Sequence, residues 1–160
     1  FSADIFVNKL YTKKKIQNKI YKMLKIKDSL NFKSVIKKLI LNKKLNIMEL
    51  EKIIHPLVRK GMQDFTARNK NKKFIFFEIP LLIESKLMKK FDLIFFIKAN
   101  KKLRLKRFKL KGGNEKLFHI LNKKQLYVNK KIKYCDYVIV NEKNFDILKT
   151  RLLSIFKKYE

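Results

Sequence analysis

At 160 residues, 46% of them hydrophobic, the chain is one domain's worth of material and can bury a core without staples. Its one cysteine, Cys135, cannot close an internal disulfide, no apolar run approaches the roughly 18 residues of a membrane span, and no signal-peptide pattern opens the chain, so a cytoplasmic protein is expected. The balance of 42 Lys+Arg against 13 Asp+Glu, a net charge of +29, suits a polyanionic partner, although heavy use of Lys, Ile, Asn and Phe also fits an A/T-rich coding sequence, so charge does not identify the anion.

From Ile5 to Ile26 the apolar positions fall at helical spacing, with a break near Thr12. Phe32, Val35, Ile36, Leu39 and Ile40 mark a second amphipathic helix. Asn46 with Glu49 three residues on is a capping box, opening a third helix through Phe65. Pro56 inside that pattern costs on the order of 3 kcal/mol if the helix is continuous, so a break is expected there, with His55 held at it.

Phe74–Ile79 and Leu93–Ile97 are short apolar runs of strand length, of the kind a parallel sheet covered by helices requires. Asn100 can cap a helix to Lys111, Gly112-Gly113 stops it, and Asn114 can cap another to about Lys131. Tyr137–Val140 reads as a third strand, and Asn144 as the cap of a final helix to Lys158. The alternation predicts an α/β fold, a parallel sheet covered by helices, in which ligands gather at the carboxyl ends of the strands. Glu78, Asn100 and Asn141 occupy those ends.

Each polar residue has an ordinary structural alternative. Asp4 can be a helix N-cap, His55 a packing residue, Arg107 part of a solvated basic face, and Asp136 a strand-end cap. Their order along the chain is more informative. "SADIF" lies near the start, "HPLV" in the middle, "PLLIE" after the apolar run, "RLKR" on the basic helix, and "CDYVIVN" before the last helix. In this order the set resembles the dephospho-coenzyme A kinase family, with its D-A-D-x-I, H-P-x-V, P-L-L-x-E, Q-x-x-R and A-D-x-V-I-x-N patterns.

The resemblance implies a fold like that of the P-loop nucleoside and nucleotide kinases, with a helical substrate-binding insertion at about 12–70 and lid helices at about 100–131, all within a single domain, 1–160. It implies ATP-dependent phosphorylation of the ribose 3'-hydroxyl of dephospho-coenzyme A, the last step of coenzyme A synthesis, with ATP and Mg2+ required. Asp4 matches the catalytic aspartate, Arg107 and Lys111 the cationic lid positions, and Asn141 the residue near the adenine. His55, Pro80, Leu81, Leu82 and Glu84 would shape the acceptor side, and Glu78 would hold the metal through water.

The chain departs from the pattern at Ser2, Arg104, Val128, Lys131 and Cys135, and nothing in it matches G-x-x-x-x-G-K-S/T, its glycines being Gly61, Gly112 and Gly113. A missing N-terminal strand, phosphate loop and helix, on the order of 30 residues for half a βαβ unit, is therefore expected, and with it an inactive fragment. The competing expectation is a basic nucleic-acid-binding module working through phosphate contacts; no zinc spacing, aromatic RNA motif or helix-turn-helix pattern indicates a specific nucleic-acid reader, and no membrane partner is expected.

Overall fold

The structure, a computed structural model, describes residues 1–27 and 31–159. Two compact units divide it at Pro80 and Leu81.

The first unit holds four helices, α1 (Ala3–Leu10), α2 (Lys14–Leu24), α3 (Phe32–Leu41) and α4 (Ile47–Arg68). The expected break near Thr12 is present. Thr12 Oγ1 donates to the Lys9 carbonyl at 2.8 Å and Gln17 Nε2 to the Tyr11 carbonyl at 2.7 Å, so side chains take up the carbonyls released where α1 ends. Asn31 and Asn46 cap the helices that follow them, accepting from the Ser34 amide at 3.2 Å and the Met48 amide at 3.0 Å. The apolar stripes of all four helices meet in one core, with Leu10, Ile20, Tyr21, Phe32, Ile36, Leu50, Ile53 and Ile54 buried. A second aromatic group joins Phe1 to Phe6, Phe65 and Phe77 at ring separations of 5.2, 5.7 and 5.8 Å.

Two expectations fail in this unit. Helix α4 runs unbroken through Pro56. The proline faces solvent while Leu50, Ile53 and Ile54 before it, and Gly61 and Met62 after it, are buried. Apolar anchoring on both sides thus offsets the lost hydrogen bond, and His55 lies within a continuous helix instead of at a break. The segment Phe74–Ile79 forms no multi-residue strand; its bridge pairing is a single parallel one, Ser2 with Glu78. The Glu78 amide donates to the Phe1 carbonyl at 2.8 Å and the Ala3 amide to the Glu78 carbonyl at 2.9 Å. Because Ala3 is already helical, the ladder stops there on that side, while the Phe1 amino group donates to the Phe76 carbonyl at 2.7 Å on the other.

In the second unit, one turn of 3-10 helix (Met88–Lys90) precedes β1 (Phe95–Lys98), α5 (Lys101–Leu110), α6 (Glu115–Lys123), α7 (Val128–Ile132), β2 (Tyr137–Val140) and α8 (Phe145–Phe156). The strands pair in parallel, from Phe95 opposite Tyr137 to Lys98 opposite Val140, and the intervening helices supply the crossover a parallel pair needs. β2 coincides with its expected run, and β1 overlaps its own, starting two residues later and ending one later. Ile139 is buried, and Phe95 stacks on Tyr137 at 5.2 Å and meets Phe156 of α8 at 5.5 Å. Asn100, Asn114 and Asn144 each cap the following helix, accepting from Leu103, Leu117 and Ile147 at 2.8, 3.2 and 3.1 Å. Gly112, at a φ of 76°, ends the segment after α5 as expected. The helix expected to run from Asn114 to about Lys131 instead stops at Lys123, and α7 begins anew at Val128. The reason lies in the Leu126 amide, which is taken by the Glu84 carboxylate.

Candidate functional site

In the first unit two candidate acidic residues, Asp4 and Glu78, come together at the start of α1. Ser2, not Asp4, is the N-cap, accepting from the Ile5 amide at 3.5 Å. Capping therefore does not occupy Asp4, which sits in the first turn. The bridge to Ser2 holds Glu78 beside this turn. Loss of water around Asp4 and, second, the neighbouring Glu78 charge push the Asp4 carboxyl above its usual range. Asp4 is still open to solvent on one side, and its carboxylate is a better proton acceptor than a free one. The positive end of the α1 dipole acts the other way. Helix α1 is seated on α4 at Gly61, where an added Cβ would lie 2.4 Å from the Phe6 ring. His55 lies half-buried on α4, beside the core residue Ile54.

In the second unit, parallel pairing puts Asn100 and Asn141 beyond the same ends of β1 and β2. The Asn141 amide donates to the Lys98 carbonyl at 2.7 Å, and the Asn100 amide to Glu142 Oε1 at 2.9 Å. Arg107, on α5, donates through Nη1 to the Asn141 carbonyl at 3.0 Å and through Nη2 to its Oδ1 at 3.4 Å. The guanidinium has five donors, so three N–H groups are not used in these contacts. Lys111 is exposed just after α5. Arg104 lies 5.8 Å from the centre of the Phe118 ring, a cation–π contact between α5 and α6.

The turn after Pro80 is closed by the Ser85 amide on the Leu81 carbonyl at 2.9 Å and the Leu87 amide on the Leu82 carbonyl at 3.1 Å. It is anchored by buried Ile83 and Leu87, leaving Leu81 and Leu82 half-buried. Glu84 Oε1 accepts from the Leu126 amide and from Lys131 Nζ, both at 2.8 Å. Asp136, a residue with a strand-end alternative, binds the Ile94 amide through Oδ2 at 2.7 Å and serves the sheet.

The structure thus brings together Asp4 with Glu78, Arg107 with Asn141, and Glu84 with Lys131. Glu142 and Lys131 were not singled out as site residues by sequence reasoning. For Glu142, its place directly after Asn141 at a strand end was the available signal; for Lys131, it was its place among the departures from the family pattern, which gave no hint of a partner. Among the described residues no three His, Cys, Asp or Glu side chains gather as a metal site, and no helix is long and apolar enough to cross a membrane.

A small parallel sheet with polar groups at its carboxyl ends and a basic helix following one strand defines an α/β protein suited to anionic ligands. Residues 9–146 match the family model for dephospho-CoA kinase. Similar proteins include the dephospho-CoA kinase of Bartonella quintana (strain Toulouse), 32% identical over 162 residues, covering 98% of this chain and 83% of that protein. That of Rickettsia bellii (strain RML369-C) is 32% identical over 140 residues, 87% of this chain and 73% of its own. That of Rickettsia conorii (strain ATCC VR-613 / Malish 7) is 30% identical over 161 residues, 100% and 84%. The chain belongs to the dephospho-CoA kinase family. Its matched span includes all the candidate residues except Asp4, which the Rickettsia conorii match reaches.

Proposed function

We propose that the chain contributes the acceptor side and lid of a kinase that transfers the γ-phosphoryl group of ATP to the ribose 3'-hydroxyl of dephospho-coenzyme A, in the cytoplasm. The observation that carries this reading is a solvent-open aspartate, made more basic by its surroundings and by Glu78, on the first turn of a helix in a chain of this family. The 3'-hydroxyl oxygen attacks the γ-phosphorus, its proton passes to Asp4, and the bond to the β–γ bridging oxygen breaks to release ADP. A loose phosphoryl-transfer transition state asks the protein mainly for positioning and for cations on the phosphoryl oxygens. Arg107 and Lys111 supply those cations, Arg107 with its orientation set in advance by the Asn141 carbonyl. Asn141, fixed by the Lys98 carbonyl, faces the adenine; Leu81 and Leu82, after Pro80, form an apolar wall for the acceptor, and His55 is assigned to acceptor binding by its place in the family pattern alone.

Carboxylate oxygens suit Mg2+, which commonly takes one or two of them besides phosphate and water; Glu78 would hold the ion through water. The ion would supply charge neutralisation on the phosphates.

The 160 residues contain no glycine-rich phosphate loop, so by themselves they should not turn over. The test is an ADP-release assay on the chain alone and on a fusion that places a strand–GxxxxGKS–helix segment of a family member ahead of it. The expected result is dephospho-coenzyme A-dependent ADP release by the fusion only, reduced about 10²- to 10⁴-fold by Asp4→Asn with acceptor binding kept. Turnover by the chain alone, or indifference to Asp4→Asn, contradicts the reading. Nonspecific nucleic-acid binding, the reading the +29 charge favours, is separated by its steep loss with added salt.

A further inference from the structure

Glu84 falls in the segment just proposed to face the acceptor, yet its carboxylate is spent inside the protein. Oε1 is held by the Leu126 amide and by Lys131 Nζ, both at 2.8 Å. Lys131 is the buried charged residue of the described chain, 5% exposed, and its ammonium also lies 5.9 Å from the centre of the Phe96 ring of β1. Glu84 Oε2 is buried and, among the described residues, has no hydrogen-bond partner.

Burying such a pair is a poor way to gain stability, because desolvation consumes most of the attraction and apolar residues of the same size would serve as well. What the pair does gain is fixed geometry. It ties residue 84 to residues 126 and 131, far apart in the chain. Helix α7 has five residues and no side-chain cap at Tyr127, so little else in its own sequence fixes its place. We infer that Glu84 and Lys131 form a positioning pair, an internal ionic link that holds the turn of residues 81–87 against α7 and so sets the apolar acceptor wall of Leu81 and Leu82 without touching the acceptor. This rests on the reading of that wall as part of the acceptor site.

The test measures dephospho-coenzyme A affinity of the 160-residue chain by calorimetry, thermal midpoint by circular dichroism, and amide hydrogen exchange by mass spectrometry. Glu84→Gln and Lys131→Met each strand one buried charge and should lower both midpoint and affinity, affinity by about tenfold or more. The double variant Glu84→Gln/Lys131→Met is neutral; it should regain midpoint but not affinity, whereas a purely structural pair would regain both. Lys131→Arg, whose fork can also reach Oε2, should retain affinity. Faster exchange confined to residues 81–87 and 126–132 in Lys131→Met should accompany the loss. Recovery of affinity in the double variant, or unchanged affinity in both single variants, overturns the inference. If the parent chain does not bind dephospho-coenzyme A, the acceptor reading fails, and the link is judged by exchange alone: joint loosening of the two segments supports it and separate behaviour refutes it.

Discussion

Replacing Gly61 with alanine probes the seat of the helix that carries Asp4. On helix propensity alone the change should stabilise α4 by about 1 kcal/mol. The new Cβ, however, would stand 2.4, 2.7 and 2.8 Å from three atoms of the Phe6 ring. Ordinary carbon contacts begin near 3.4 Å, so ring or helix must retreat by about 1 Å. The ring is not free to swing, because Phe1 packs on it at 5.2 Å and is itself held against Phe65 and Phe77 at 5.7 and 5.8 Å. Overpacking of this kind costs about 1–3 kcal/mol. The net expectation is a loss of up to about 2 kcal/mol, a drop in thermal midpoint of up to about 8 °C for a chain of this size. Thermal unfolding followed by circular dichroism reads it, with urea unfolding as a check that the slope is unchanged. A rise in midpoint would show that α1 and α4 do not meet at Gly61, and the placement of Asp4 beside Glu78 would lose its support.

Two further outcomes follow from the same unit. Asp4 has its folded-state carboxyl raised above the ordinary value of 3.8, so its contribution to stability is present in full below that pH and is lost as pH rises through the raised value. Asp4→Asn should therefore match the parent near pH 3 and equal or exceed its thermal midpoint at pH 7; a lower midpoint at pH 7 would mean that the α1 dipole, not burial and Glu78, dominates the site. Ile20 is fully buried, so Ile20→Ala should cost about 2–5 kcal/mol in urea unfolding, and a cost below about 1 kcal/mol would refute the placement of the α1–α4 core.

Helices whose apolar positions recur at helical spacing behind an asparagine cap were readable in the sequence. Asn46, Asn100, Asn114 and Asn144 cap helices where expected, because capping is a local interaction between one side chain and the next turn. The break near Thr12 was legible for the same reason. What escaped was set by distant partners. Pro56 is locally a helix breaker, and only the burial of residues on both sides keeps α4 continuous. Phe74–Ile79 has strand composition, yet its pairing is limited on one side by α1, which begins at Ala3, the residue directly after the bridged Ser2. The interruption between α6 and α7 depends on Glu84, 42 residues earlier.

The candidate site divides in the same way. Residue types at motif spacing pointed to Asp4, Arg107 and Asn141, and the structure adds partners that no spacing encodes: Glu78 across a single bridge, and the Asn141 carbonyl under Arg107. Glu84 carried a motif position without its geometry. Its counter-ion, on a five-residue helix, is invisible until the chain is folded.

Phosphorus-31 NMR of the reaction catalysed by the fusion with a phosphate-loop segment tests the assignment most directly, because it reads the product's position and not only the loss of ATP. A kinase of this family gives a new phosphomonoester resonance on the ribose 3'-oxygen of the acceptor, growing in step with ADP and slowed about 10²- to 10⁴-fold by Asp4→Asn. ATP consumed with inorganic phosphate as the sole new signal, or no consumption alongside salt-sensitive binding to RNA, would contradict it.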